Sequence, residues 1–163
     1  MSEAPIILLA EDEPNDVFLV QRALLEARIA NRLIVVNDGQ KALGYFAGEG
    51  RYANREQYPL PQLVLLDLDM PVVNGFDVLT RLRQHPAFTD LPVVVFTASS
   101  RSPDVSRAYR LGANSFLVKP SELRQLSDAL KEIVHCFVEK PFDGADLPTV
   151  DLRHGCGSEA VSA

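Results

Sequence analysis

The chain has no long apolar stretch and no basic cluster, and these two absences exclude whole classes of function. None of its 163 residues belong to an apolar segment long enough for a membrane helix, so we expect no membrane span. The 22 aspartates and glutamates outnumber the 16 lysines and arginines, which gives a net charge of −6. Because neutralising nucleic-acid phosphates requires a basic face, a nucleic-acid partner is disfavoured.

Cysteine is also scarce, with only Cys136 and Cys156 in the chain. The first residues lack the basic start and apolar core of a signal peptide. Together these features predict a cytoplasmic protein whose cysteines are free thiols. A metal site at Cys156 and His154 is an alternative, but two ligands alone are a weak signal.

Five short apolar segments alternate with amphipathic segments along the first 138 residues. The predicted strands are Ile6–Ala10, Leu33–Val36, Leu63–Leu66, Val93–Phe96 and Ser115–Val118. The predicted helices are about Pro14–Ile29, a short one through Ala42 to Phe46, Phe76–Gln84, Ser102–Leu111 and Ser121–Phe137. This alternation predicts an α/β fold with one five-stranded, doubly wound parallel sheet.

Two segments fall outside this pattern. Residues 48–61 form a long, polar and turn-rich connection, which is unusual in a compact domain. From residue 139 to residue 163 the apolar periodicity stops, and proline and glycine recur. We therefore predict one domain at residues 1–138 and a disordered tail at residues 139–163.

Four of the predicted strands end in a polar residue. Asp67 follows the apolar run Leu63–Leu66, the pair Glu11 and Asp12 follows the first strand, and Thr97 and Lys119 follow the fourth and fifth. Parallel sheets bind ligands at the carboxyl ends of their strands. Each residue alone has an ordinary explanation as a helix cap, a turn residue or a surface lysine. Together they indicate a phosphoryl-transfer site in which Asp67 is the acceptor.

Clustered carboxylates require a cation, because two acids in contact repel by about 4 kcal/mol at an intermediate dielectric. Mg²⁺ fits this need, since it takes oxygen ligands and shares substrate phosphate oxygens. Lys119 then supplies positive charge opposite the metal, and the Thr97 hydroxyl can donate to a phosphoryl oxygen.

These residues, in this order and spacing, resemble the receiver domain of two-component response regulators. The resemblance covers Ile6 to about Phe137 and includes Asp67 within the sequence LLDLDMPVVNG. It implies a flavodoxin-like (βα)5 fold, with Asp67 as the phosphoacceptor. It further implies that Mg²⁺ is bound by Asp12 and Asp67, by Glu11 through water, and by the backbone carbonyl of Asp69. The Lys119–Pro120 bond resembles the cis peptide of this family.

The resemblance also implies a signalling role and not an enzyme of separate substrates. Thr97 and Phe116 would form a switch pair that responds to phosphorylation. The partner would be a histidine kinase, and the chain is most similar to single-domain regulators paired with bacterial phytochromes or hybrid kinases. The face of the fourth helix, fifth strand and fifth helix is expected to form a homodimer that strengthens on phosphorylation, or to bind a kinase or target instead.

One alternative from another class is an aspartyl-phosphate hydrolase of the haloacid dehalogenase type. Asp67 and Asp69 imitate the DxD pair of that family. That family places DxD on its first strand, with the acidic metal ligands late in the chain. Here the acid pair comes first and DxD follows the third strand, which favours the receiver interpretation.

Overall fold

The structure, a computed structural model, describes residues 5–139, in which strands and helices alternate. The strands are β1 Ile6–Ala10, β2 Arg32–Val36, β3 Leu63–Leu66, β4 Val93–Thr97 and β5 Ser115–Val118. The helices are α1 Pro14–Glu26, α2 Gly39–Ala47, α3 Gly75–Gln84, α4 Ser102–Arg110 and α5 Leu123–Val134. Short 3₁₀ turns occur at Gly50–Ala53 and Pro86–Phe88, and a π-helical turn at His135–Glu139 follows α5.

The five strands form one parallel sheet in the order β2-β1-β3-β4-β5. After β1 the chain first adds β2 on one side of that strand and then adds β3 on the other side. The winding direction therefore reverses between β1 and β3, and a crevice opens at their carboxyl ends. The predicted α/β fold with a doubly wound sheet is confirmed.

Side chains of β1, β3 and β4 are buried on both faces of the sheet, which explains their unbroken apolar sequences. Alternate residues enter two separate cores. One core includes Leu8 of β1 and packs against α2, α3 and α4. The other includes Leu9 of β1 and packs against α1 and α5. Burying each such leucine contributes roughly 1.5–3 kcal/mol, so both cores hold the strand ends in place.

The first helix is three residues shorter than predicted. It ends at Glu26, and Arg28 adopts a left-handed backbone with φ 57°. The backbone N–H groups of Arg28 and Ile29 donate to the carbonyls of Leu25 and Leu24, which closes a Schellman motif. The apolar periodicity that predicted helix as far as Ile29 continues through this cap, where Ile29 still packs against the core.

The connection at residues 48–61 is ordered by one arginine. The Arg55 guanidinium donates to the carbonyls of Tyr45, Phe46 and Tyr58, and so caps the carboxyl end of α2. The Tyr45 hydroxyl donates to the carbonyl of Pro59 at 2.6 Å. These bonds account for an ordered path through a segment that carries little regular secondary structure.

Two further predictions are wrong. All described peptide bonds are trans, including Lys119–Pro120, where a cis bond was expected. Cys136 is disulfide-bonded, whereas a free thiol was predicted. That prediction used the number of cysteines and the lack of a signal peptide, and neither reports which side chains lie close together. Cys156, His154 and the predicted tail beyond residue 139 lie outside the described residues.

Within residues 5–139, no helix is both long and apolar enough to cross a membrane.

Candidate functional site

The crevice between β1 and β3 brings three predicted acids together. Carboxylate oxygens of Glu11, Asp12 and Asp67 all lie within 4.8 Å of one another. Glu11 and Asp67 are buried, with exposures of 0% and 3%, whereas Asp12 is exposed. The cluster therefore has a buried base and an open mouth, as a site that receives a ligand from solvent requires.

The Lys119 ammonium lies beside this cluster at the end of β5. Its Nζ atom is 2.8 Å from Oε2 of Glu11 and 3.5 Å from Oδ2 of Asp67. The backbone N–H of Lys119 donates to the carbonyl of Thr97 at 2.7 Å, which fixes the start of the side chain. Within the described residues, the site thus has one ammonium facing several carboxylates.

Burial and charge shift the pKa of each buried group in this cluster. Burial raises the pKa of Glu11 to about 7, although Lys119 opposes the shift. Burial also raises the pKa of Asp67, against the opposing charge of Lys119. For Lys119, burial lowers the pKa, but its contacts with the carboxylates of Asp16 and Glu11 outweigh this and raise it. The two buried acids therefore keep their protons to a higher pH than usual, while the lysine stays charged.

Asp67 is not the cap of the helix that follows it. Asn74 performs that role for α3, since its side chain accepts from the backbone N–H of Asp77. Gly75 begins α3 directly against Asp67, and a Cβ added there would lie 2.2 Å from the Asp67 carbonyl oxygen. The ordinary explanation of a strand-end aspartate as a helix cap therefore does not apply here.

Asp69 does not belong to the acidic cluster that Glu11, Asp12 and Asp67 form. Its side chain is exposed and outside the acidic cluster, while its backbone N–H donates to Oδ1 of Asp67 at 3.3 Å. The backbone carbonyl of Asp69 stays a predicted metal ligand. An exposed Asp69 side chain does not form the paired-carboxylate arrangement that a DxD hydrolase requires.

The predicted switch residues occupy neighbouring strands. Thr97 is fully buried at the end of β4, and Phe116 of β5 is 9% exposed. Phe116 pairs with Val95, which is two residues before Thr97, so both side chains project from the same face of the sheet. Thr97 does not cap α4, because that helix has no side-chain cap.

Sequence reasoning missed one member of the site. Asp16 lies in the first turn of α1, and its Oδ2 atom is 2.7 Å from Nζ of Lys119, the shortest contact that this ammonium makes. From the sequence alone, Asp16 is only a residue that suits a helix N-terminus. The sequence did contain one indication that Asp16 belongs to the site. It lies in the first turn of the helix that directly follows β1, and that turn lies at the carboxyl edge of the sheet.

The donor set fits a divalent metal. All three clustered groups offer oxygen, which suits hard cations such as Mg²⁺ or Mn²⁺. Oε2 of Glu11 is buried and accepts no hydrogen bond from residues 5–139, although Lys119 lies 2.8 Å from it as an ion pair. Glu11, Asp12 and Asp67 are the residues that would hold such an ion, directly or through water.

The fold and the site together define a class: an α/β domain with an acidic crevice and an opposed lysine. Residues 7–131 match the model of the response regulator receiver domain. The chain therefore belongs to the response regulator receiver family. The sequence-based assignment to this family is confirmed, and the hydrolase alternative is not favoured.

Individual relatives agree with this assignment. Response regulator Rcp1 of Synechocystis sp. (strain ATCC 27184 / PCC 6803 / Kazusa) is 37% identical over 134 residues, which cover 82% of this chain and 89% of Rcp1. The structure of the Mn²⁺-bound form of Rcp1 has a TM-score of 0.73 at 36% identity, covering 85% of this chain and 97% of that one. The phosphorylated cyanobacterial phytochrome response regulator RcpA has a TM-score of 0.77 at 32% identity, covering 86% and 98%.

Proposed function

We propose that this chain is a phosphorylation-controlled switch in a two-component system, with Asp67 as its phosphoacceptor. The observation that carries the proposal is the position of Asp67: buried, not used as a cap, and between an oxygen-rich cluster and the Lys119 ammonium. RcpA, a relative of the same fold, is named as a phosphorylated protein.

The geometry supports transfer through positioning and charge neutralisation. An oxygen of the Asp67 carboxylate forms the new bond to phosphorus as the donor's bond to phosphorus breaks. Lys119 offers its charge to the phosphoryl oxygens, and Thr97 offers a hydroxyl. A divalent ion, when bound by Glu11, Asp12 and Asp67, adds positive charge at the same oxygens.

Mg²⁺ is the proposed ion. The oxygen-only ligands and the open mouth at Asp12 suit an ion that keeps several waters and shares phosphate oxygens. The related Rcp1 is named as binding Mn²⁺, an ion with the same preference for oxygen. The backbone carbonyl of Asp69 completes the proposed ligand set.

The proposed donor is a histidine kinase, phytochrome-like or hybrid, in the cytoplasm. The names of Rcp1 and RcpA as response regulators, and of RcpA as a phytochrome response regulator, support this partner. The proposal includes neither a nucleic-acid partner, given the net charge of −6, nor catalysis on separate substrates. The receiver domain is assigned to residues 1–138, and residues 139–163 are proposed to be a disordered tail.

The proposed readout is the face of α4, β5 and α5. Phosphorylation gives the Thr97 hydroxyl a new acceptor, and Phe116 beside it on β5 responds, so that the pair biases two states of this face. The face mixes exposed or half-exposed charges of both signs: Arg107, Arg110, Arg124, Asp128, Lys131 and Glu132. Such a pattern suits paired salt links across a two-fold axis.

Intact-mass measurement tests the phosphoacceptor. With Mg²⁺ and acetyl phosphate, the chain should gain one phosphoryl group, and Asp67→Asn should gain none. Asp69→Asn is the matched control, because its exposed side chain lies outside the cluster, and it should still be labelled. Undiminished labelling of Asp67→Asn would remove the basis of the proposal.

Sedimentation tests the readout. Adding beryllofluoride with Mg²⁺ should convert monomer to dimer, and charge reversal at Arg110 and Arg124 together should prevent it. NMR chemical shifts of the same sample report the switch itself. If the chain stays monomeric while the chemical shifts of the α4–β5–α5 face change, the switch is retained and self-association is excluded. Chemical shift changes confined to the Asp67 loop would exclude the switch.

A further inference from the structure

Lys119 is held by carboxylates from two sides, and only one side belongs to the predicted site. Its Nζ atom is 2.7 Å from Asp16, 2.8 Å from Glu11 and 3.5 Å from Asp67. An ammonium has three N–H donors, so three neighbouring carboxylates can engage all of them. Asp67, the proposed phosphoacceptor, has the longest of the three contacts.

The three acids differ in depth. The side chains of Glu11 and Asp67 are 0% and 4% exposed, whereas that of Asp16 is 26% exposed. Asp16 therefore holds the ammonium from the solvent side and the other two hold it from inside. Nothing in the metal cluster uses Asp16, which is outside the group of Glu11, Asp12 and Asp67.

Both ends of the Lys119–Asp16 contact are fixed by the fold. The backbone N–H of Lys119 donates to the Thr97 carbonyl at 2.7 Å, and that of Asp16 donates to the Glu13 carbonyl at 3.1 Å in the first turn of α1. The two residues are 103 positions apart in sequence. The contact thus connects the start of α1 to the end of β5 across the mouth of the site.

We propose that Asp16 is a positioning residue that holds the Lys119 ammonium on the solvent side of Asp67. This inference rests on the proposed phosphoacceptor function and names a residue that regulates it. Without Asp16, the ammonium moves inward, and its contact with Asp67, the longer of the two that remain, shortens. A carboxylate oxygen that accepts a charge-assisted hydrogen bond is a poorer nucleophile, and the ammonium is then displaced from the incoming phosphoryl oxygens.

The test compares phosphorylation rates at fixed Mg²⁺ and acetyl phosphate. Asp16→Asn removes the charge but keeps the size, and should lower the rate about tenfold, which is the rate equivalent of about 1.4 kcal/mol. Asp16→Glu keeps the charge and should stay within about threefold of the native rate. Glu26→Gln, an equal charge change at an exposed position of the same helix, should leave the rate unchanged.

A second readout requires neither metal nor phosphoryl group. The ¹⁵N–¹H signal of the Lys119 ammonium should shift in Asp16→Asn, return toward its native position in Asp16→Glu and stay in place in Glu26→Gln. Equal thermal midpoints of the three variants would show that the rate change does not come from unfolding.

The possible outcomes distinguish failure of the Asp16 positioning role from failure of the proposed phosphoacceptor function of Asp67. An Asp16→Asn chain that is labelled at Asp67 as fast as the native chain, or faster, would overturn the positioning role while leaving the phosphoacceptor intact. An Asp16→Glu chain as slow as Asp16→Asn would also overturn it, because the charge would then not be what matters. A native chain without label at Asp67 would overturn both.

Discussion

The two ends of the sheet each contain a half-buried cation, but they satisfy it in opposite ways. At the amino end, the Arg83 guanidinium donates to the carbonyls of Gly112 and Phe88 and to Oδ1 of Asn114, at 2.7–3.0 Å. All of these acceptors are neutral. At the carboxyl end, the Lys119 ammonium faces three carboxylates, of Glu11, Asp16 and Asp67, with Asp12 beside them.

This difference separates a structural polar centre from a functional one. Arg83 connects the end of α3 to the segments that lead into β4 and β5, and the fold supplies all of its partners. Burial lowers the pKa of Arg83, so the fold bears a desolvation cost that these hydrogen bonds offset. The carboxyl end has more negative than positive charge, and its balance requires a cation or a ligand from outside.

The largest expected effect is loss of the amino-end centre. Arg83→Met keeps much of the apolar stem but leaves the carbonyls of Gly112 and Phe88 without this donor, while Oδ1 of Asn114 keeps only the Val93 N–H. This loss should lower the free energy of unfolding by about 3 kcal/mol. Urea denaturation would measure it. Arg81→Met, on the exposed side of the same helix, is the control and should change stability by less than about 0.5 kcal/mol. Similar losses in both variants would mean that the Arg83 contacts are not what stabilises this end.

A smaller expected effect is the pH dependence of Mg²⁺ affinity at the carboxyl end of the sheet, where Glu11 must lose its proton. Glu11 has a pKa raised to about 7, so in the metal-free chain it is largely protonated below that pH. Metal binding needs the carboxylate, so Mg²⁺ affinity should rise with pH through about 7 and then level off. Between pH 6 and pH 8 we expect about a tenfold rise, from the fraction of ionised Glu11.

Calorimetric titration at the two pH values would measure this change. Glu11→Gln removes the titrating group and should flatten the dependence while keeping some affinity through Asp12 and Asp67. Equal affinities of the native chain at pH 6 and pH 8 would contradict the raised pKa.

The smallest effect concerns strain in the loop beside the site. Val72 is 75% exposed and has a left-handed backbone with φ 69°, which is costly for a β-branched residue. Val72→Gly should stabilise the chain by about 1 kcal/mol, because glycine adopts this conformation without strain. Val72→Ala keeps the Cβ and should gain much less. A melting temperature that falls in Val72→Gly would show that the valine side chain makes a contact worth more than the strain.

The main outline of the fold could be predicted because β1, β3 and β4 are buried on both faces. Their sequences are therefore unbroken apolar runs, and the first polar residue after each run marks the carboxyl edge. Glu11, Asp67 and Thr97 were found in this way, and their positions at one edge follow from the parallel sheet.

Other features depend on contacts between distant segments and left no local pattern. Asp16 looks like an ordinary acid in a first helical turn until β5 places Lys119 beside it. Arg55 orders residues 48–61 through carbonyl groups, which every sequence has. The end of α1 was misplaced because the apolar period continues through a cap in which Arg28 adopts a conformation that favours glycine.

The most direct test of the comparison removes one charge at each end in metal-free buffer and measures the free energy of unfolding. The pKa of Asp67 is raised by burial, so its ionised form opposes folding at pH 7, and Asp67→Asn should stabilise the chain. Arg83→Met should destabilise it in the same buffer. Added Mg²⁺ should stabilise the native chain and have a weaker effect on Asp67→Asn. A destabilised Asp67→Asn chain, with no response of the native chain to Mg²⁺, would contradict the account.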